Sequence, residues 1–426
     1  MRRMDRRAVL ASLTATGALA ATSGRAAARD ITIFQPTTEF ELQDYIWLTW
    51  GEAGFLGGRP MTDTTLPLIR ALAPHVKIRL LYSQWTSWQD QAANPEPPRT
   101  LDEARARIGA RLTEAGVDLG RVEFIRSPYL FGAIQDPGPV FLRDDHGRLA
   151  IADFASAHPE PIVSRLDREV TAGLGVEALS SSMKSDGGNL QFNGNGVLML
   201  GEAFARSVNP DMTREQIEQE YRRMFGVAKI IWLQHGPREE DWGLLEDGRW
   251  GIGTAGHIDE FARFVDERTV ILSEVPEAER DADPIRRETH RRMEENFAIL
   301  SAARDAEGRP FNILRAPTAL PMAHRIAYDD LSPIERFWFE GAGAGDQLEF
   351  YLPGSYLNFV IANGVVVTSR YWREGMPDAV RQRDAEGLAA VQAAFSDRTV
   401  VAIDAMPLLH DGAGIHCYTR NQPKTA

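Results

Sequence analysis

Apolar residues recur along the chain in short strand-like runs broken by turn chemistry, and the same larger order repeats. Phe141-Leu142 and Leu149-Ala150-Ile151 flank Asp144-Asp145-His146-Gly147. Leu190-Gln191-Phe192 and Val197 to Leu200 flank Asn193-Gly194-Asn195-Gly196. Phe261 to Val265 and Val270-Ile271-Leu272 flank Asp266-Glu267-Arg268, and Leu357 to Ile361 and Val365-Val366-Val367 flank Ala362-Asn363-Gly364. Each pair predicts a β-hairpin. Most hairpins precede a helix-period stretch (Arg214 to Phe225, Pro284 to Arg304, Asp378 to Phe395) and then a lone apolar strand (230–233, 311–314, 400–403). The predicted unit is hairpin, helix, strand. Pairing Tyr45 to Trp50 with Ile415 to Thr419 makes a further hairpin from the chain's two ends. Such a pairing predicts an α/β ring of five pseudo-symmetric units with no free sheet edge; an open α/β sheet is the alternative.

In that arrangement the hairpin entrances converge. They carry Asp136, Asp186-Gly187-Gly188-Asn189, Gly256-His257-Ile258-Asp259-Glu260, Asn358 and Gly414-Ile415-His416-Cys417. Taken singly, each has a bland reading: a turn, a structural histidine, a small buried thiol. Their shared place in the repeat is what singles them out.

Composition narrows the chemistry. A charge of −13 over 426 residues argues against nucleic acid as a partner. Cys417 is the single cysteine, which excludes a disulfide framework within the chain and a multi-cysteine metal cluster. Residues 1–28 read as an export signal: Arg2, Arg3, Arg6 and Arg7, a mildly apolar stretch, then Ala26-Ala27-Ala28. Arg6-Arg7-Ala8-Val9-Leu10 resembles a twin-arginine signal, implying the twin-arginine export machinery as a partner and a periplasmic or secreted protein. Removing five Arg and one Asp with that segment takes the charge from −13 to −17. The rest, residues 29–426, reads as one catalytic domain without a membrane-spanning segment.

Cysteine with histidine supports nucleophilic catalysis, the thiolate attacking carbon and the imidazole moving protons. Carboxylates beside a nucleophilic thiol raise its pKa, and a cationic substrate offsets that on binding. Forked guanidinium donors match carboxylates. The constellation therefore points to attack on a guanidinium carbon rather than on a peptide carbonyl. Glu239 to Gly253, rich in acids, Trp and Gly, reads equally as a lid over the site or as a solvated loop. Trp85 and Trp88 read as core or as an entrance lining.

These motifs resemble the agmatine deiminase and bacterial-type peptidylarginine deiminase family of the pentein superfamily, over about Ile31 to Pro423. Gly256 to Phe261 and Gly412 to Cys417 carry the likeness, with Gly187-Gly188-Asn189, Tyr356 to Phe359 and Asp136 to Pro139 in support. The resemblance implies a five-bladed α/β-propeller, no metal or organic cofactor, and a cationic guanidino compound or arginine-containing peptide as substrate. It implies catalysis by Cys417, His257, Asp259 and Asp136, and substrate binding by Asp136, Asp259, Asp186, Asn189 and Asn358. Cys417 would attack the guanidinium carbon and His257 would protonate the leaving ammonia, then activate water. Asp186 stands where agmatine deiminases carry Glu, and Gln135 where they carry Arg. The His-Ile-Asp-Glu-Phe run looks more like protein-arginine deiminases. The expected activity is deimination of peptidyl-arginine or a related guanidino compound; agmatine hydrolysis to N-carbamoylputrescine is the alternative. Amidino transfer and guanidinium binding without turnover are the further readings.

Overall fold

Five sheets repeat one construction: an antiparallel hairpin whose second strand takes a parallel third strand. The computed structural model describes residues 34–83, 98–127, 132–158, 163–333 and 335–425. In chain order the complete repeats are Val140–Arg143, Leu149–Ala155 and Glu177–Lys184; Gln191–Phe192, Val197–Gly201 and Lys229–Leu233; Ala262–Phe264, Thr269–Glu274 and Asn312–Pro317; and Val360–Ala362, Val365–Arg370 and Thr399–Asp404. The fifth joins the two ends of the described chain. Thr419–Pro423 pairs antiparallel with Gln43–Thr49, which takes Lys77–Tyr82 as its parallel partner. No closed sheet joins the five among the described residues.

Local chemistry explains why these elements form where they do. Arg214–Phe225 begins at a capping box, Thr213 with Gln216, and ends at Gly226 in the left-handed conformation. It buries Ile217, Tyr221, Met224 and Phe225, one helical face. Pro284–Ala302 starts with Asp283 accepting from the Arg286 amide and has Pro in its first turn. The hairpin at 360–370 turns through Asn363-Gly364, where Gly364 has φ +74°. Val365, Val366 and Val367 are all buried, as a strand covered on both faces requires.

Two expectations change. The closing strand is not Ile415 to Thr419 but Thr419–Pro423. Ile415 and Cys417 are apolar because they are buried in the tight turn before that strand, not because they lie in it. The 239–253 segment is packed at both ends and exposed in its middle at Trp242 and Leu244. Glu239, Glu240, Trp250 and Ile252 are buried. Gly243–Leu244 and Trp250–Gly251 join a further sheet with Gln347–Leu352 and Met322–Ala327, through parallel pairing of Trp250 with Phe350. Burial of Trp250 against Phe339 and the Arg249–Glu349 ion pair hold it down.

Residues 33–426 form one compact unit. Residues 1–28, with the expected export signal, and Trp85 and Trp88 lie outside the described residues. No described helix is long and apolar enough to cross a membrane.

Candidate active site

Two short 3-10 turns, Gly187–Asn189 and Ile258–Glu260, occupy the same place in successive repeats, just before the first hairpin strand. Asn189 ties them together. Its Oδ1 accepts from the amides of Gly201 (2.9 Å) and Ile258 (3.2 Å), and its Nδ2 donates to the Gly201 carbonyl (3.1 Å). Asn189 thus fastens the strand end at Gly201 to the turn that follows His257.

Asn358 does the same for Cys417. Its Oδ1 accepts from the amides of His416 (2.7 Å) and Cys417 (3.3 Å), while its Nδ2 donates to Glu260 Oε1 (2.7 Å) and Cys417 Sγ (3.2 Å). On the other side the Gln135 amide donates to the Cys417 carbonyl at 2.9 Å, fixing the thiol's turn against the segment that carries Asp136.

The thiol therefore sits among acids. Cys417 Sγ is 3.7 Å from Asp259 Oδ2 and 3.5 Å from Glu260 Oε1, and all three residues are buried. His257 stands between two more. Its Nδ1 is 3.5 Å from Asp136 Oδ1 and its Nε2 is 3.8 Å from Asp186 Oδ2, both long for hydrogen bonds, and Nδ1 has no hydrogen-bond partner. Phe204 holds the ring edge-on, centroids 4.2 Å apart. Gly188 marks where the two groups meet. A Cβ there would stand 2.7 Å from Asp136 Oδ1, 2.8 Å from His257 Nδ1 and 3.1 Å from Asp259 Oδ2. Only glycine leaves that space open. The Asp136 and Asp186 side chains keep 15% and 10% exposure against 3% for His257, so solvent reaches the cluster on their side.

Electrostatics follow from this crowding. Burial, then the Asp259 charge, pushes Asp136 up to about 7 despite the Gly188 amide it accepts from. Burial, then Asp136, pushes Asp186 up to about 7. Burial, then Asp259, Glu260 and Asp136, raises the Cys417 thiol well above its usual range. Burial lowers His257, against the pull of Asp259 and Asp186. The substrate-free cluster thus favours a neutral base, a protonated thiol and acids that hold protons near neutrality. A bound cation reverses the balance for thiol and acids alike. The donors also fall into two groups with a metal-ligating outline, Asp136, Asp186 and His257 in one and Asp259, Glu260 and Cys417 in the other, each with its atoms within 4.8 Å.

Further residues belong to the site that the sequence reading did not single out. Glu260, one step past Asp259 in the same 3-10 turn, points at the thiol. His416 packs behind Asp259, its Nδ1 2.7 Å from Asp259 Oδ2 and its Nε2 2.7 Å from Glu39 Oε1. Glu39 also pairs with buried Arg263. Burial would raise Glu39, but Arg263 and His416 outweigh it and hold this carboxylate far below its usual range. The adjacency of Glu260 to Asp259 is a legible signal; Glu39 carries none, lying 377 positions from His416.

Comparison with known proteins agrees with this geometry. The chain is 28% identical to the agmatine deiminase of Stutzerimonas stutzeri over 82% of its length and 94% of that relative. It is 25% identical to the agmatine deiminase of Pseudomonas putida over 92% and 95%. The solved agmatine deiminase of Enterococcus faecalis shares its fold, with TM-score 0.68 at 20% identity over 92% of this chain and 96% of that one. So does the agmatine deiminase of Campylobacter jejuni, with TM-score 0.62 at 17% identity over 92% and 96%. The family model for Porphyromonas-type peptidyl-arginine deiminases matches residues 35–423, a span holding every site residue named above. The chain belongs to that family, the deiminases that hydrolyse amidine C–N bonds.

Proposed function

We propose that this deiminase acts on the guanidinium of peptidyl-arginine or a related guanidino compound through a covalent intermediate on Cys417. The observation that carries the reading is Cys417 Sγ lying 3.5–3.7 Å from two buried carboxylates in a cluster shared with a loosely held histidine. A guanidinium entering there supplies the positive charge that the acids lack. It lowers the cost of ionising the thiol and is gripped by Asp136 and Asp259. As the cation binds, the Cys417 proton passes to neutral His257; the thiolate attacks the guanidinium carbon, a C–S bond forms and the C=N π pair moves onto nitrogen. A C–N bond then breaks, and ammonia leaves with a proton from His257. Water, deprotonated by His257, adds to the same carbon, and the C–S bond breaks to release the ureido product. Asn358 and Asn189 position the nucleophile and the proton carrier, and Asp186 flanks His257.

Agmatine is the second reading, favoured by the names of the relatives. A panel of agmatine, free arginine and an arginine-containing peptide, scored for ammonia and ureido product, separates the substrates. Loss of all product in Cys417→Ala is expected; full activity there would sink the mechanism.

We read the five repeated sheets as blades around one axis, which the common hairpin construction and the pairing of the two chain ends support. We also read residues 1–28 as a twin-arginine export signal, supported by Arg6-Arg7 and Ala26-Ala27-Ala28. Fractionation with N-terminal sequencing of the exported chain tests it; a cytoplasmic protein beginning at Met1 would overturn it.

A further inference from the structure

The Cys417 side of the cluster has a property that its proposed catalytic role does not require. Cys417 Sγ, Asp259 Oδ2 and Glu260 Oε1 lie at the corners of a small triangle, with S···O distances of 3.7 and 3.5 Å. A tetrahedral zinc, with Zn–S of about 2.3 Å and Zn–O of about 2.0 Å, has S···O edges of about 3.5 Å. Both S···O separations therefore lie close to the edges of such a tetrahedron, and the donor atoms of the three residues lie within 4.8 Å of one another. Two further observations point to a cation here. Asp259 Oδ1 is buried without a partner. Glu240, 1% exposed, leaves both carboxylate oxygens without a partner, and the charges of Glu260, Glu239 and Asp259 repel it. No described cation neutralises Glu240 through a hydrogen bond or ion pair, and removing carboxylates from water uncompensated is costly.

We propose that Cys417, Asp259 and Glu260 form a binding site for a thiophilic divalent cation such as zinc, with Glu240 adding negative charge beside it. On binding, the Cys417 thiol loses its proton to solvent and a metal–sulfur bond forms; nothing is oxidised. Thiolate and carboxylate together suit zinc better than magnesium or calcium, which take oxygen ligands alone. A metal held there occupies the nucleophile, so zinc is a reversible inhibitor that competes with the guanidino substrate. That last step rests on the functional reading of Cys417; the binding does not.

Calorimetric titration of zinc into the chelator-treated full chain tests the site directly. One zinc per chain is expected, with affinity weakened roughly 100-fold or more in Cys417→Ser and about 10-fold in Glu240→Gln. Cobalt(II) in place of zinc should give a thiolate-to-metal absorption band in the near ultraviolet that Cys417→Ser abolishes. No stoichiometric binding, or binding unchanged in Cys417→Ser, overturns the proposal. Both variants are checked for native folding by circular dichroism. Should the chain bind zinc at Cys417 but deiminate nothing, the reaction reading fails and the metal site stands. Should it deiminate without zinc binding, the reverse holds.

Discussion

Two buried histidines lie against the same acid cluster, and they are held in opposite ways. His416 has carboxylate oxygens 2.7 Å from both ring nitrogens, Asp259 on one side and Glu39 on the other. His257 has carboxylates at 3.5 and 3.8 Å, and its Nδ1 is unpartnered. Short contacts at both ring nitrogens fix the orientation of His416, so that ring is a brace. A ring with long, unfilled contacts can gain and lose a proton without breaking a network, which is what a proton carrier needs. Equal burial therefore does not mean equal role. The number and length of hydrogen bonds decide it.

The comparison breaks most visibly if the two rings exchange fates on mutation. His257→Ala should cut kcat by about 10³-fold, within the usual range for losing a general acid–base, while leaving the urea midpoint nearly unchanged. His416→Ala should instead cost about 3–5 kcal/mol of stability, because it takes the 2.7 Å partner from buried Asp259 Oδ2 and leaves Glu39 with Arg263 alone. Chemical denaturation beside single-turnover kinetics checks both; a stable, active His416→Ala would end the brace assignment.

Gly188→Ala comes next. Its Cβ would press on Asp136 Oδ1 and His257 Nδ1. A displacement of about 1 Å in a catalytic group can cost about 100-fold, so kcat/KM should fall by that order, with a stability loss of about 1–3 kcal/mol. Unchanged kinetics would mean that the space beside Gly188 is not where substrate and base meet.

A pH series sharpens the contrast further. Asp136 and Asp186, raised to about 7, are neutral below that pH and charged above it. KM for a guanidino substrate should therefore rise as pH falls through about 7. Stability runs the other way. These carboxyls bind protons more tightly folded than unfolded, so the stability they contribute is fully present below the unfolded value of 3.8 and lost as pH rises through about 7. The substrate-free chain should melt several degrees lower at the top of that window, and Asp136→Asn should flatten the trend. A melting curve that climbs from pH 4 to 7 and is indifferent to Asp136→Asn would contradict the assignment.

The smallest effect is a control away from both rings. Thr213→Ala removes half of a capping box and should cost about 1 kcal/mol with no change in turnover.

Much of the fold was legible because it is local. The helix at Arg214–Phe225 was bounded to the residue, since its cap, its apolar face and its terminal glycine are all neighbours in sequence. The helices at Pro284–Ala302 and Asp378–Ala394 ended within two residues of expectation. The closing strand was displaced because Ile415 and Cys417 are apolar for a different reason: they are buried in a turn. The sheet built on Trp250 and Phe350 went unseen because it joins short strands about 100 positions apart. In the site, Cys417, His257, Asp259, Asp136 and Asp186 were named from their shared place in the repeat. Asn189 and Asn358 are legible from the same repeat position, but their bonds to backbone and to the thiol's surroundings are not.

The sequence by itself determined the cast: one thiol, the acids and histidines at equivalent hairpin entrances, and the repeated unit that brings such entrances together. Tertiary structure alone decided which histidine is braced and which is free, that Glu260 and Glu39 join the cluster, and which carboxyls keep their protons near neutrality. The reason is physical. Periodicity and turn chemistry act between neighbours along the chain. Protonation and hydrogen bonding depend on burial and on charges that the fold brings together from hundreds of residues apart.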